Sequence, residues 1–152
     1  MPDFPHASRL RAGRSSQSGQ IYLLTAVTQN RAPIFTNWRV GRLVVDQFRQ
    51  ALIDDRADSL AWVVMPDHFH WLVELRNATL PALMLATKSR SARAINAHLG
   101  RTGRLWQKGF HDRAIRREDD LLAVARYVIA NPIRAGLVRR VHDYPLWDAK
   151  WL

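Results

Sequence analysis

Cysteine is absent from the 152 residues, which excludes disulfides, thiolate metal sites and a cysteine nucleophile, and suits a reducing compartment. No apolar run reaches the ~20 residues that a membrane-crossing helix requires, and the amino terminus lacks the apolar stretch of a secretory signal. A cytoplasmic protein with no membrane partner is expected. Glycine-rich phosphate loops, a nucleophile-elbow serine and the zinc-protease helix motif are missing too, so those routes to hydrolysis are closed. Acid is scarce: 13 Asp and Glu stand against 23 Lys and Arg, a formal charge of +10.

The basic excess is concentrated. Between Arg76 and Arg117 lie ten basic residues and one acid, Asp112. Lys88, Arg90, Arg93, Arg101, Arg104 and Lys108 run through this stretch alongside Trp106, Phe110 and His111. Such a field suits a polyanion, most economically a nucleic-acid backbone, with the two aromatic rings as platforms for bases. An ordinary solvated basic surface is the plainer reading of the same charge, and a structural role accounts for His111 as well as contact with DNA does.

Hydrophobic residues make up 47% of the chain and include six tryptophans, enough for one packed core. Residues 1–20, rich in Arg, Ser, Gly and Pro, read as a flexible basic arm. Residues 21–138 read as the folded domain and 139–152 as a carboxy-terminal tail. The pattern predicts a strand over Ile21 to Thr28, then a helix capped by Thr36 or Asn37 with Val40, Leu43, Val44, Phe48, Ala51 and Leu52 inward. Leu60 to Met65 and His68 to Leu75, split by Pro66 and Asp67, read as a hairpin. A helix capped by Thr79 follows, with Leu80, Leu83, Met84, Ala94, Ile95 and Leu99 inward and Gly100 at its end. Leu105 to Ile115 then reads as a fourth strand, and Glu118, Asp119 and Asp120 open a last helix. This order predicts an α+β fold, a split βαβ antiparallel sheet with helices.

The chemistry gathers at His68, Phe69 and His70. On a strand, residues two apart share a face, so the two imidazoles can meet one cation. Downstream, Tyr127 and Asn131 lie one helical turn apart and offer a hydroxyl nucleophile and an oxygen ligand on one face. Each residue also has a plain structural account. The histidines can be hydrogen-bonded strand residues, Tyr127 a core-edge ring, and Asn131, before Pro132, a helix cap. Tyr144, in a proline-bounded segment, is a weaker nucleophile candidate.

The strings MPDHFHWLVEL, INAHLGRTGRLWQKGFHDRAIR and ARYVIANPIRAGLV, in that order, resemble the single-tyrosine HUH transposases, most closely the REP-associated tyrosine transposases. The resemblance spans about Gly19 to Val138. It implies a catalytic domain whose HUH histidines, His68 and His70, lie on a central strand, with the catalytic tyrosine, Tyr127, on a carboxy-terminal helix. It further implies cleavage of single-stranded DNA beside hairpins of repetitive extragenic palindromes (REP), through a 5′-phosphotyrosine and a free 3′-hydroxyl. A divalent metal, Mg²⁺ or Mn²⁺, held by His68, His70 and Asn131, would meet the charge of the phosphate. The REP-associated branch implies a monomer, whereas insertion-sequence relatives are dimers. One departure is Asp67, where the family motif often has Asn.

Two other readings stay open on the residues. One is a non-catalytic module that binds single strands on the same type of sheet. The other is a metal-dependent nuclease that uses water and leaves no covalent adduct.

Overall fold

Two runs rich in β-branched and aromatic residues, split by Pro66 and Asp67, build the centre of the sheet. In the computed structural model, which describes residues 18–150, β2 (Ala57–Met65) and β3 (His68–Leu75) pair antiparallel from Met65↔His68 to Ala57↔Leu75. The two-residue turn sets this register. β2 begins at Ala57 rather than Leu60, with an irregularity between Ser59 and Ala61.

β1 (Ile21–Val27) runs antiparallel along the other edge of β3, and β4 (His111–Ile115) along the outer edge of β1. The connection from β1 to β2 is α1 (Trp38–Ile53), and that from β3 to β4 is α2 (Leu80–Leu99). Each helix passes over an intervening strand, so two split βαβ units interlock, as the sequence predicts. The expected arm, residues 1–20, lies outside the described residues up to residue 17. Gly19 and Gln20 already exchange backbone hydrogen bonds with Leu75.

The described residues of the expected tail, 139–150, are not appended to the domain. Trp147–Ala149 forms β5 on the outer edge of β2, completing the order β4-β1-β3-β2-β5. Leu146 is 1% exposed and packs in the core. Gly41 of α1 admits it, because a Cβ there would collide with Leu146 Cδ1. Tyr144 Oη donates to Val64 O at 2.6 Å, and burial pushes the phenol up to about 12, so this tyrosine is an anchor rather than a nucleophile.

Period-two alternation gives the sheet two apolar faces. Tyr22, Leu24, Phe69, Trp71, Val73 and Leu75 meet α1 and α2, with Phe48 stacked 4.4 Å from Trp71. On the opposite face Leu23, Val63 and Leu72 meet α3 (Glu118–Ile129) through Val124, Ala125 and Val128. Asn37 caps α1 by accepting from Arg39 N, Thr79 caps α2 by accepting from Ala82 N, and Gly100 ends α2 in the left-handed region at φ +63.

Three expectations change. Leu52 and Leu99 are 54% and 43% exposed, because each sits at the end of its helix beyond the sheet contact; Val45 lies inward on α1, and Thr87 and Ser91 on α2. The strand expected over Leu105 to Ile115 is only His111–Ile115, after a left-handed residue at Gly109. Trp106 makes a single bridge to Thr28 and is 4% exposed. Among the described residues no helix is long and apolar enough to cross a membrane.

Because Leu146 fills the core from the far end of the chain, Leu146→Ala is expected to destabilise the protein by about 2–5 kcal/mol. Urea denaturation checks this; a midpoint equal to that of the parent would show the carboxy-terminal segment to be dispensable.

Candidate active site

Alternation along β3 turns His68 and His70 away from α1 and α2, onto the face covered by α3. Across the ladder His70 stands between Thr25 and Val63, and His68 between Val27 and Met65. The imidazole rings are 5.0 Å apart, centre to centre. Each is held at one nitrogen: His70 Nδ1 lies 2.7 Å from Thr25 Oγ1, and His68 Nδ1 2.7 Å from Asp67 Oδ1.

A carboxylate only accepts hydrogen bonds, so His68 Nδ1 carries a proton toward Asp67 and Nε2 is the nitrogen left for another partner. Partial burial alone would raise the Asp67 carboxyl. The hydrogen bond and charge of His68, and those of Arg31 at 3.1 Å, outweigh burial and hold it below the usual carboxylate range. His70 is 7% exposed. Burial foremost, then the charges of His68 and Arg134, push it down to about 3, which keeps its imidazole neutral at ordinary pH. Neutral imidazole is the metal-binding form.

The pair fits two ligands of one cation. A nitrogen about 2.1 Å from a metal puts its ring centre about 3.2 Å away, and two such rings at octahedral to tetrahedral angles have centres about 4.5–5.2 Å apart. Among the described residues no group of three or more His, Asp or Glu is gathered into a cage.

Tyr127 comes to the pair on α3. The acids Glu118, Asp119 and Asp120 in its first turn suit the helix dipole. Tyr127 lies beside the buried stripe Val124, Ala125 and Val128, and its ring centre is 5.8 Å from that of His70. α3 ends at Ala130, where α4 (Asn131–Arg134) begins. Pro132 has no N–H to give to Val128 O. Asn131 Nδ2 reaches Val128 O at 3.4 Å and Tyr127 O at 3.2 Å. Asn131 therefore acts as a cap through its amide nitrogen, leaving its oxygen for another partner.

The expected DNA-contacting residues divide. Trp106 is not a stacking platform: its ring lies 5.5 Å from Phe35 and 5.3 Å from Phe69, and its Nε1 donates to Ser91 Oγ at 3.1 Å. Lys88 Nζ donates to Gln107 O at 2.8 Å and to Gly109 O, bracing that loop; burial and then the Arg104 charge lower its pKa. Arg90 lies 3.5 Å from Asp54. Lys88, Arg90 and Arg93 all belong to α2, across the sheet from the histidines. Arg93, Arg104 and Lys108 are exposed, Arg101 and Phe110 half-buried. His111, opposite Thr25 on β4, shares the histidine face. Beside it a hollow of about 230 Å³ is lined by Thr25, Lys108, Gly109, Phe110 and His111.

Four site residues escape motif reading: Thr25, Arg31, Asp67 as a partner for His68, and Arg134. Arg134 Nη2 donates to Tyr127 O at 2.9 Å, and its guanidinium carbon lies 4.0 Å from the Tyr127 ring centre. Its one sequence signal is a spacing of two helical turns from Tyr127.

Comparison with known proteins places the chain among transposases. The family profile described as "Transposase IS200 like" matches residues 16–131. A Haemophilus influenzae protein assigned to the REP-associated tyrosine transposases is 25% identical over 143 residues, covering 87% of this chain and 81% of the relative. The REP-associated tyrosine transposase of Escherichia coli K12 is 29% identical over 114 residues, 70% and 67% of the two chains. Among solved structures, a REP-associated tyrosine transposase bound to a REP hairpin superposes with a TM-score of 0.70 at 23% identity, over 88% of this chain and 79% of that one. A transposase-like protein from Deinococcus radiodurans R1 gives a TM-score of 0.54 at 22% identity, over 76% and 93%. These two show the fold.

Thr25→Val keeps the side chain's shape and removes the hydroxyl, leaving His70 Nδ1 without its partner. A loss of about 1–3 kcal/mol is expected, read by urea denaturation beside Thr25→Ser, which should retain most of the stability.

Proposed function

The chain belongs to the IS200-like transposase family, and from that premise we propose that it cleaves and rejoins single-stranded DNA beside hairpins, with Tyr127 as nucleophile. The observation that carries this reading is the Tyr127 ring set 5.8 Å from His70, on the sheet face that also carries His68.

Tyr127 Oη attacks the scissile phosphorus. The bond from phosphorus to the Tyr127 oxygen forms as the bond to the 3′-oxygen breaks, and the phenolic proton is balanced by one taken up at the departing 3′-oxygen. The products are a 5′-phosphotyrosine and a free 3′-hydroxyl. One phosphodiester replaces another, so the step reverses without water or ATP. His68 and His70, with the Asn131 oxygen, would hold Mg²⁺ or Mn²⁺, which when bound neutralises charge on the phosphate. Asp67 and Thr25 fix the two ring orientations, and Asn131 fixes the end of the helix that carries the nucleophile.

Hairpin DNA of the REP type is the proposed partner, supported by the relatives' names and by the solved hairpin complex. Lys108, Phe110 and His111 line the hollow beside Thr25 and suit the strand that reaches the site, with Arg101 and Arg104 in the preceding loop. Arg93 adds to the basic field, while Lys88 and Arg90 act through their braces. Both histidines and Tyr127 meet within one chain, which supports a monomer; sedimentation of a stable DNA-free dimer would contradict it.

The test is a labelled single-stranded hairpin oligonucleotide with a 5′ extension, incubated with Mn²⁺ and resolved on a denaturing gel. A covalent protein–DNA band supports the proposal, cut DNA without adduct indicates a hydrolytic nuclease, and bound but intact DNA a binding module. Tyr127→Phe is expected to bind the hairpin and form no adduct, with Tyr144→Phe as the active control; an adduct mapped to Tyr144 would refute the assignment. His68→Ala and His70→Ala are each expected to lower metal-dependent cleavage at least ~100-fold with hairpin affinity largely kept, since Lys and Arg supply the backbone field. Gel shift and cleavage on the same samples separate these effects.

A further inference from the structure

The nucleophile's ring is held by a residue to which the sequence pattern assigns no role. We propose that Arg134 is a positioning residue for Tyr127, clamping the phenol ring against His70 so that its oxygen faces the phosphate. This inference rests on the reading of Tyr127 as nucleophile.

Arg134 grips Tyr127 at two points. Its Nη2 donates to Tyr127 O at 2.9 Å, and its guanidinium carbon stands 4.0 Å from the ring centre. A guanidinium can do both at once because it is planar and presents several donors; an ammonium cannot stack in this way. His70 approaches the same ring at 65° between planes, its centre 5.8 Å away.

A capping role alone does not account for this arrangement. Tyr127 O already accepts from Asn131 Nδ2 at 3.2 Å, so the helix end has a donor without Arg134. The stack on the ring is surplus to capping, and its direct effect is on ring orientation. Pro132 gives the connection its stiffness: it opens the short α4 that brings Arg134 back over the last turn of α3. In-line attack demands a fixed oxygen, and misplacement by about 1 Å lowers a rate on the order of 100-fold.

The chain has three tyrosines, Tyr22, Tyr127 and Tyr144, so protein labelled with 3-fluorotyrosine should give three ¹⁹F resonances, that of Tyr127 assigned by Tyr127→Phe. In Arg134→Ala the Tyr127 resonance should shift and broaden while the other two stay in place. At saturating hairpin DNA and Mn²⁺, adduct formation should slow by ~10–100-fold, with hairpin Kd and Tm close to the parent's. Arg134→Gln keeps a donor for Tyr127 O without the cation and should remain slow; Arg134→Lys should recover only part of the rate. An unmoved Tyr127 resonance overturns the clamp, as does an Arg134→Ala rate within twofold of the parent, full rescue by Gln, or a slowing explained by a lowered Tm. If the parent forms no adduct, the assignment of Tyr127 as nucleophile fails, and the fluorine spectrum still decides whether Arg134 holds the ring.

Discussion

β3 is hydrogen-bonded along both edges, to β1 and to β2, and the two histidines of the site take their direction from that strand. A slip of one residue in either ladder would carry Phe69, Trp71, Val73 and Leu75 out of the core and put the imidazoles into it. The four apolar residues are fully buried, so the register that hides them is the register that presents His68 and His70. Stability and chemistry are specified by one alternation, on opposite faces of one strand.

Around this strand the site is built from neighbours that each fix one orientation. Thr25 holds His70 across the β1–β3 ladder, Asp67 holds His68 from the turn, and Arg31 holds Asp67. On the helix side, Asn131 and Arg134 both return to Tyr127 O. Hydrogen bonds made through Nδ1 of each imidazole leave Nε2 for another partner, the arrangement expected of metal-ligating histidines, whose partners set tautomer and ring angle. Asp67, held low in pKa, is an ionised partner and favours the Nδ1–H tautomer more strongly than an amide would.

Local pattern made much of this legible. The hairpin at Pro66 and Asp67, the caps at Asn37 and Thr79, and the shared face of His68 and His70 all follow from spacing within a few residues. What escaped depends on distance along the chain. Trp106 reads as a stacking ring because its neighbours are basic; only the fold reveals that Phe35, Phe69 and Ser91 enclose it. Lys88 reads as a phosphate contact until two loop carbonyls claim its ammonium. The segment after Val138 has too few apolar residues to declare a strand, and its place is set by Gly41 and Val64, far earlier in the sequence. Thr25 gives no motif signal because its role exists only through pairing with His70.

The interlocked connections also decide when a competent site can exist. Of the strand pairs, only β2–β3 is local; β1–β3, β1–β4 and β2–β5 each join distant stretches, and distant contacts form against a loop-closure penalty. A chain that has closed only its hairpin holds both imidazoles but neither Thr25, 45 residues away from His70, nor Tyr127. Reactivity toward DNA is thus coupled to completion of the whole architecture: a half-folded chain carries the histidine pair without the helix that brings Tyr127 to it.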